Sequence, residues 1–209
     1  MRHILKPAVS LFFITALAAV SLGLVYNIME EPIAENRRRA TESRLREILP
    51  EAASFRNMGE GARTEEDSAG ARVVAAFEAL GADGGKVGYA VELESRRGYG
   101  GPMRLVVGIL PGADGGEGRI AGLRVLRHAE TPGFGAVISR EGFFRRFDGR
   151  ALVPLRVVRT REASREEFQS IASSTITTDA VVAAVNAALA WFAAYEDARS
   201  APDEMEENG

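Results

Sequence analysis

The chain has 209 residues, with 26 lysines and arginines against 29 aspartates and glutamates, a length that suits one globular domain plus one further segment. A formal net charge of −3 offers no basic field to hold nucleic acid phosphates, so nucleic acid is not an expected partner. The absence of cysteine excludes thiolate metal sites, iron–sulfur clusters and thiol nucleophiles, and the two histidines, His3 and His128, cannot build a multi-histidine metal site. Redox chemistry would therefore need an organic cofactor.

The first predicted element is an uncharged apolar segment between Lys6 and Glu30. As a helix this segment would rise about 30 Å, which is the thickness of the hydrocarbon core of a membrane. A cleaved signal peptide is the alternative, because Arg2 and Lys6 form a positively charged start and Ala16–Ala18 resembles a cleavage site. Apolar character continues beyond an ordinary signal sequence, so we predict a transmembrane anchor within residues 1–29.

Residues 30–85 predict helices and a loop close to the membrane. Helix-forming residues run from Pro32 to Leu49, with a short apolar stripe near the end at Leu45, Ile48 and Leu49. We interpret this helix as a solvated stalk, and a helix that binds a partner is the alternative. After a loop rich in Gly, Glu and Arg, the segment Ala71–Leu80 predicts a short helix.

The middle of the chain predicts an antiparallel sheet. Four β-rich runs are separated by clusters of Gly, Pro and Asp: Val87–Leu93, Met103–Leu110, Ile120–Leu126 and Leu152–Val158. The segment ADGGEG at Ala113–Gly118, between the second and third runs, is typical of a hairpin turn. The fold class expected from residues 86–198 is therefore α+β.

The last predicted element is a helix that follows Thr178. Its apolar face consists of Val181, Val182, Val185, Leu189 and Phe192, and we expect this face to pack on the sheet. Trp191 and Tyr195 lie beside it and are interpreted as packing residues rather than cofactor contacts. The acidic tail of residues 199–209 is predicted to be disordered.

A cluster of hydroxyl side chains, IASSTITT at Ile171–Thr178, comes directly before this helix. One interpretation is an N-cap supplied by Thr177 or Thr178, with Asp179 in the first turn. The same position also favours a phosphate, because backbone N–H groups and the helix dipole meet there. The two interpretations do not compete.

A second segment, HAETPGFG at His128–Gly135, can be interpreted from its residues as a loop in which Pro132 and Gly133 set a turn and Glu130 is solvated. Elsewhere the sequence contains no nucleophile elbow, phosphate loop or dinucleotide-binding turn. We therefore find no self-sufficient enzyme and assign no catalytic residue or metal ligand.

The order and spacing of three segments resemble a known family: Gly98–Ile109, Arg124–Gly135 and Ile171–Asn186. They are similar to the FMN-binding domain shared by the G subunit of Rnf-type ion-translocating electron transport complexes and the C subunit of the sodium-translocating NADH:quinone reductase. The compact length favours the Rnf member. The resemblance covers the anchor and most of the chain beyond Val87.

This resemblance implies FMN joined through its phosphate to a threonine in a motif of the form Ser/Thr/Ala-Gly-Ala-Thr. The matching stretch is Ala172–Thr175, so Thr175 is the implied acceptor. Ser173 stands where the family has Gly, and Ser174 where it usually has Ala. Together with Thr177, these serines are implied to border the cofactor.

The resemblance also places the loop His128–Gly135 near the flavin. It implies loop-shaping or flavin-proximal roles for His128, Glu130, Thr131 and Gly133. The implied function is electron relay through FMN between other redox centres of a complex that couples ferredoxin and NAD oxidation–reduction to ion pumping.

The resemblance further implies the protein's partners and its location. The partners are other Rnf subunits and a separate magnesium-dependent flavin transferase, and the soluble domain would lie on the periplasmic side of the inner membrane. The alternative is an anchored module of the same fold that carries no flavin and only assembles other subunits.

Overall fold

The computed structural model describes residues 2–59, 62, 64–65, 67, 69–112, 116–131, 135–172 and 174–200. The chain divides into two compact units, Met1–Ser43 and Arg44–Gly209. The second unit therefore includes residues from 44 to 85 that the sequence assigned to a membrane-proximal region.

Helix α1 spans Arg2–Ile48 and carries an apolar segment at Val9–Leu24. In the described part of the chain, however, the helix that is both long and apolar enough to cross a membrane is α3 at Thr175–Ser200, half of which is buried. The expected N-terminal helix is present, but the apolar helix of membrane-spanning length lies at the other end of the chain. The apolar character of α3 is explained by its packing inside the folded unit.

Five antiparallel strands form a sheet in which each strand pairs with the next along the chain. The strands are β1 (Ser54–Asn57), β2 (Ala71–Leu80), β3 (Lys86–Ser95), β4 (Met103–Leu110) and β5 (Arg119–His128). The last three agree with three of the β-rich runs, and β4 and β5 are joined across the segment predicted as a hairpin turn. The α+β class and the antiparallel sheet are confirmed.

The prediction of a helix at Ala71–Leu80 is wrong, because this segment is strand β2. Its alanines and leucine favour a helix only weakly when neighbouring strands are available for pairing. β2 pairs with both β1 and β3, and Ala76 and Ala79 are fully buried on opposite faces of the sheet. Tertiary pairing therefore overrides the local preference.

The C-terminal turns of α1 cover one face of the sheet. Leu45 is 0% exposed, and Ile48 and Leu49 are also buried, against Ala90 and Val106. A side chain at Gly108 would overlap with Ile48, so a glycine allows this close approach. The stripe interpreted as part of a solvated stalk is instead core.

The other face of the sheet packs against helix α3, Thr175–Ser200. Val181, Val182, Val185 and Leu189 are buried there as predicted. Trp191 stacks on Tyr195 with ring centroids 5.4 Å apart, and both rings contact Tyr89 edge-on. The interpretation of these aromatic residues as packing groups is confirmed.

Between β5 and α3 the chain forms short elements. A 3₁₀ turn at Gly135–Ser139 leads to α2 (Glu141–Phe144) and a second 3₁₀ turn at Arg145–Phe147. Of the predicted strand Leu152–Val158, only β6 (Arg156–Val158) is a strand, and it pairs in parallel with β7 (Glu167–Gln169). The fourth run is thus outside the main sheet.

Arginine–glutamate contacts hold this small sheet in place. Arg146 bonds Glu162 at 2.8 Å, and Arg150 also pairs with Glu162. Burial opposes ionisation of Glu162, but the Gln169 N–H and the two guanidinium groups outweigh it and lower the pKa of the carboxyl.

The tail predicted to be disordered lies outside the described residues from 201 onward.

Candidate functional site

The hydroxyl cluster lies at the beginning of α3. The helix begins at Thr175, about a turn earlier than the sequence predicted. Thr178 donates both its N–H and its Oγ1–H to the Ser174 carbonyl, each at 2.9 Å. Thr177 and Thr178 are therefore inside the helix, and the prediction that one of them is the N-cap is wrong.

The side chains of this first turn point to different surroundings. Thr177 is 1% exposed, Thr175 is half-buried, and Ile176 is 54% exposed. Ser174 is buried directly before the helix, and its N–H donates to the Ile171 carbonyl at 3.0 Å. Ser173 lies outside the described residues. Thr175 thus sits at the boundary between the core and the surface.

Glu130 is the buried centre of the site. It is 5% exposed, so the interpretation of this carboxylate as solvated is wrong. Thr177 donates its Oγ1–H to Glu130 Oε2 at 3.0 Å, and the Gly100 N–H donates to Oε1 at 3.2 Å. The structure therefore brings together Thr177 and Glu130, two of the residues implied by the resemblance.

The loop His128–Gly135 begins with a local hydrogen bond. His128 Nδ1 accepts from the Glu130 N–H at 3.1 Å, which shapes the chain so that the carboxylate turns inward. Thr131 is exposed, and its carbonyl accepts from the Ala136 N–H at 3.4 Å. Gly133 lies outside the described residues.

Three glycines surround the Glu130 side chain or its backbone. A side-chain carbon at Gly98 or Gly135 would overlap with the carboxylate, and one at Gly100 would overlap with the Ala129 carbonyl. Gly101 has φ +129°, a conformation that other residues rarely adopt. In the sequence, these glycines were noted only as part of the segments that resemble the family. In the structure, they make room for the Glu130 carboxylate where three stretches of chain meet.

A cavity of about 560 Å³ opens next to the start of α3, and none of its lining residues is among those that the sequence predicted to bind the cofactor. Its lining residues are Ala69, Arg97, Ile176, Asp179, Ala180 and Ala183. The four from α3 have helical spacing, so they share one face of the helix. The small side chains at Ala180 and Ala183 leave room there, and this pattern of small residues was a signal available in the sequence.

This arrangement fits a flavin mononucleotide. The volume is in the range of cofactor sites, which are mostly apolar with a few polar groups. The first backbone N–H groups of a helix lack a carbonyl partner within the helix. In α3 these groups and the positive end of the helix dipole lie beside Thr175. Such a position favours a phosphate. Arg97 and Asp179 contribute one group of each charge to the lining. The described residues can therefore hold both parts of the cofactor, the phosphate and the ring.

Comparison with known proteins gives a consistent result. The model of the FMN-binding domain family matches residues 98–190. The G subunit of the ion-translocating oxidoreductase complex of Methanosarcina acetivorans is 31% identical over 196 residues, covering 93% of this chain and 97% of that protein. The G subunit of the Na(+)-translocating ferredoxin:NAD(+) oxidoreductase complex of Acetobacterium woodii is 32% identical over 195 residues, with 88% and 89% covered.

A solved structure shares the fold. The crystal structure of Shewanella oneidensis NqrC superposes with a TM-score of 0.50 and covers 67% of this chain and 71% of its own, at 16% sequence identity. The matched family segment begins at Gly98 and extends into α3. It thus includes Glu130, its surrounding glycines and the whole hydroxyl cluster.

Proposed function

This chain belongs to the family of G subunits of Rnf-type ion-translocating oxidoreductase complexes, and we propose that it carries electrons through FMN attached covalently to Thr175. The role of an FMN-based electron carrier in an ion-translocating complex rests on the family and on the FMN-binding domain. The covalent phosphoester and its attachment at Thr175 go beyond what the family shows.

The position of Thr175 is the observation that carries this proposal. Thr175 is the first residue of α3, where the backbone N–H groups of the first turn can stabilise a phosphate monoanion. Its neighbour Ile176 already lines the cavity. A group attached to the Thr175 hydroxyl can therefore place its phosphate at the helix terminus and its ring in the cavity.

Bound FMN supplies reversible electron transfer, and the protein provides its surroundings. Ile176, Ala180 and Ala183 would offer apolar contacts to the ring. Arg97 offers a positive charge that favours the reduced, more negative flavin. Asp179 has the opposite effect, so the balance between these two charged residues adjusts the potential.

Attachment needs an activated flavin, because direct condensation of a free phosphate with an alcohol releases water and is unfavourable in aqueous solution. We propose a flavin dinucleotide donor and a separate magnesium-dependent transferase. The Thr175 Oγ–P bond forms, the P–O bond of the anhydride breaks, adenosine monophosphate leaves, and the hydroxyl proton passes to a base of the transferase. The product retains one negative charge.

We also propose that α1 anchors the protein in the inner membrane. Large apolar side chains in its segment Val9–Leu24 are exposed, including Phe12, Phe13 and Leu22. A contiguous exposed apolar surface of this kind marks contact with a membrane or a partner. With the N-terminus inside, the unit Arg44–Gly209 would face the periplasm and meet the other subunits of the complex there.

Intact mass of the full chain tests this function against a flavin-free assembly module. The protein is produced with and without a competent transferase, purified from membranes and denatured before its mass is measured by mass spectrometry. We expect an added mass of FMN less water, and ultraviolet fluorescence of the band on a denaturing gel, only when the transferase is present. A colourless, unmodified protein beside a transferase that labels another known acceptor would favour the assembly module.

A further inference from the structure

We propose that Glu130 is a positioning residue for flavin attachment: it fixes the first turn of α3 through Thr177 and so sets the direction of the Thr175 hydroxyl. This inference rests on the proposed attachment at Thr175. It assigns Glu130 a structural task before the flavin arrives, which differs from contact with the ring.

The contacts of Glu130 join three stretches of chain that are distant in sequence. One carboxylate oxygen accepts from the Gly100 N–H at 3.2 Å, and the other accepts from Thr177 Oγ1 at 3.0 Å. The backbone of Glu130 is itself tied to His128 Nδ1 at 3.1 Å. The start of α3 is therefore connected to the turn before β4 and to the end of β5.

The geometry of a helix explains why this connection matters to Thr175. Successive residues are rotated by about 100° around the helix axis, so residues two apart point in nearly opposite directions. Thr177 points inward and is 1% exposed, and its hydroxyl donates a hydrogen bond to Glu130. Thr175 must then point to the opposite side of the helix, where it lies half-buried at the boundary between core and surface. The bond fixes the rotation of the first turn, which would otherwise fray.

A carboxylate suits this position better than another acceptor. Its negative charge lies close to the positive end of the α3 dipole, and both oxygens accept while neither donates. A glutamine that keeps its oxygen toward the Gly100 N–H turns its amide N–H₂ toward Thr177, whose hydroxyl must then accept a hydrogen bond instead of donating one. The carboxylate lies so close to Gly98 and Gly135 that a side-chain carbon at either position would overlap with it.

The test measures the initial rate of flavin attachment to the full-length apoprotein, using purified transferase, magnesium and flavin adenine dinucleotide. Thr177→Val removes the hydroxyl and keeps the branched shape, and should lower the rate on the order of tenfold or more, as expected for a misplaced reacting group. Thr177→Ser keeps the donor and should restore most of the rate. Glu130→Gln should slow attachment less than Thr177→Val does, because a weaker, neutral hydrogen bond to Thr177 can still form.

Two controls separate positioning from loss of stability. Val182→Ala removes buried atoms from α3 more than one helical turn beyond Thr177, so it should lower the melting temperature and leave the attachment rate unchanged. In the double variant of Thr177→Val with Glu130→Gln, the rate should be no lower than in the slower single variant, because both changes act on the same contact.

Hydrogen exchange of the unmodified protein provides a readout that does not involve the transferase. The amides of residues 178–181, which donate to carbonyls at the start of α3, should exchange faster in Thr177→Val than in Thr177→Ser. If the wild-type protein accepts flavin and Thr177→Val accepts it equally fast, Glu130 does not position the acceptor. If the wild-type protein accepts no flavin on Thr175, the proposed function fails, and the exchange result then decides whether Glu130 orders the helix start.

Discussion

The buried Glu130 carboxylate connects the turn at Gly100 to the first turn of α3. From the residues alone it belongs to a polar loop, and such side chains are usually exposed. A carboxylate that is buried must be hydrogen-bonded to offset the loss of water. The Gly100 N–H and the Thr177 hydroxyl meet this requirement, and they come from segments that the sequence does not place near each other.

Gly135→Ala should destabilise the protein, because the new methyl group would overlap with the Glu130 carboxylate. We expect the free energy of unfolding to fall by about 1–3 kcal/mol, as for other overpacked sites, measured by denaturant titration. Gly142→Ala is the matched control, since that position has no atom within 4 Å of the added carbon. Equal stability of the two variants would show that the site is looser than the structure indicates.

The cavity beside α3 makes a different prediction at Ala183. Replacing it with leucine fills space that we assign to the flavin ring, while attachment at Thr175 should continue. The expected result is an altered absorption spectrum and reduction potential with an unchanged mass of bound FMN. Ala190→Leu, on the exposed side of the same helix, should alter neither. An unchanged spectrum in Ala183→Leu would place the ring elsewhere.

At the scale of elements, the end of α1 is the clearest departure from expectation. Leu45→Ala should lower the free energy of unfolding by about 2–5 kcal/mol, which is typical when a buried leucine is truncated. Leu17→Ala changes the same residue type on the same helix, where the side chain is 69% exposed. The Leu17 variant should unfold like the wild-type protein in detergent, whereas equal effects would contradict the burial of Leu45.

Some elements could be predicted because their patterns are local. β4, β5 and α3 have β-rich composition, a hairpin signal or a helical apolar face that does not depend on distant residues. β2 could not be predicted, because its alanine-rich sequence becomes a strand only when β1 and β3 flank it. The apolar stripe that includes Leu45 on α1 could be recognised in the sequence. Its burial could not, because the sheet face that covers it is formed by the distant residues Ala90 and Val106.

The candidate site was predictable only in part for the same reason. The segment around Thr175 could be located from its resemblance to a family motif, and the structure places it at a helix terminus next to a cavity. The contact of Glu130 with Gly100 and the lining residue Arg97 could not be identified. Both come from the glycine-rich turn after β3, and a single sequence does not show which loops meet.

At the scale of the whole molecule, the proposed arrangement predicts the location of the C-terminus. Alkaline phosphatase fused after Gly209 should be strongly active, because the enzyme folds correctly only outside the cytoplasm. Fusion of a cytoplasmic reporter at the same point should give no signal. Removing residues 2–43 should move the protein from the membrane fraction to the soluble fraction, since the folded unit begins at Arg44. A strong cytoplasmic reporter signal would overturn the proposed topology.

Peptide mass mapping of the modified protein tests the central claim most directly. After digestion, the peptide that contains Thr175 should carry FMN less water on that residue. The modification should be absent from Thr175→Val, which keeps the β-branched shape but lacks the oxygen, and at least partly present in Thr175→Ser. Flavin on Ser174, Thr177 or another hydroxyl, or full modification of Thr175→Val, would contradict the account.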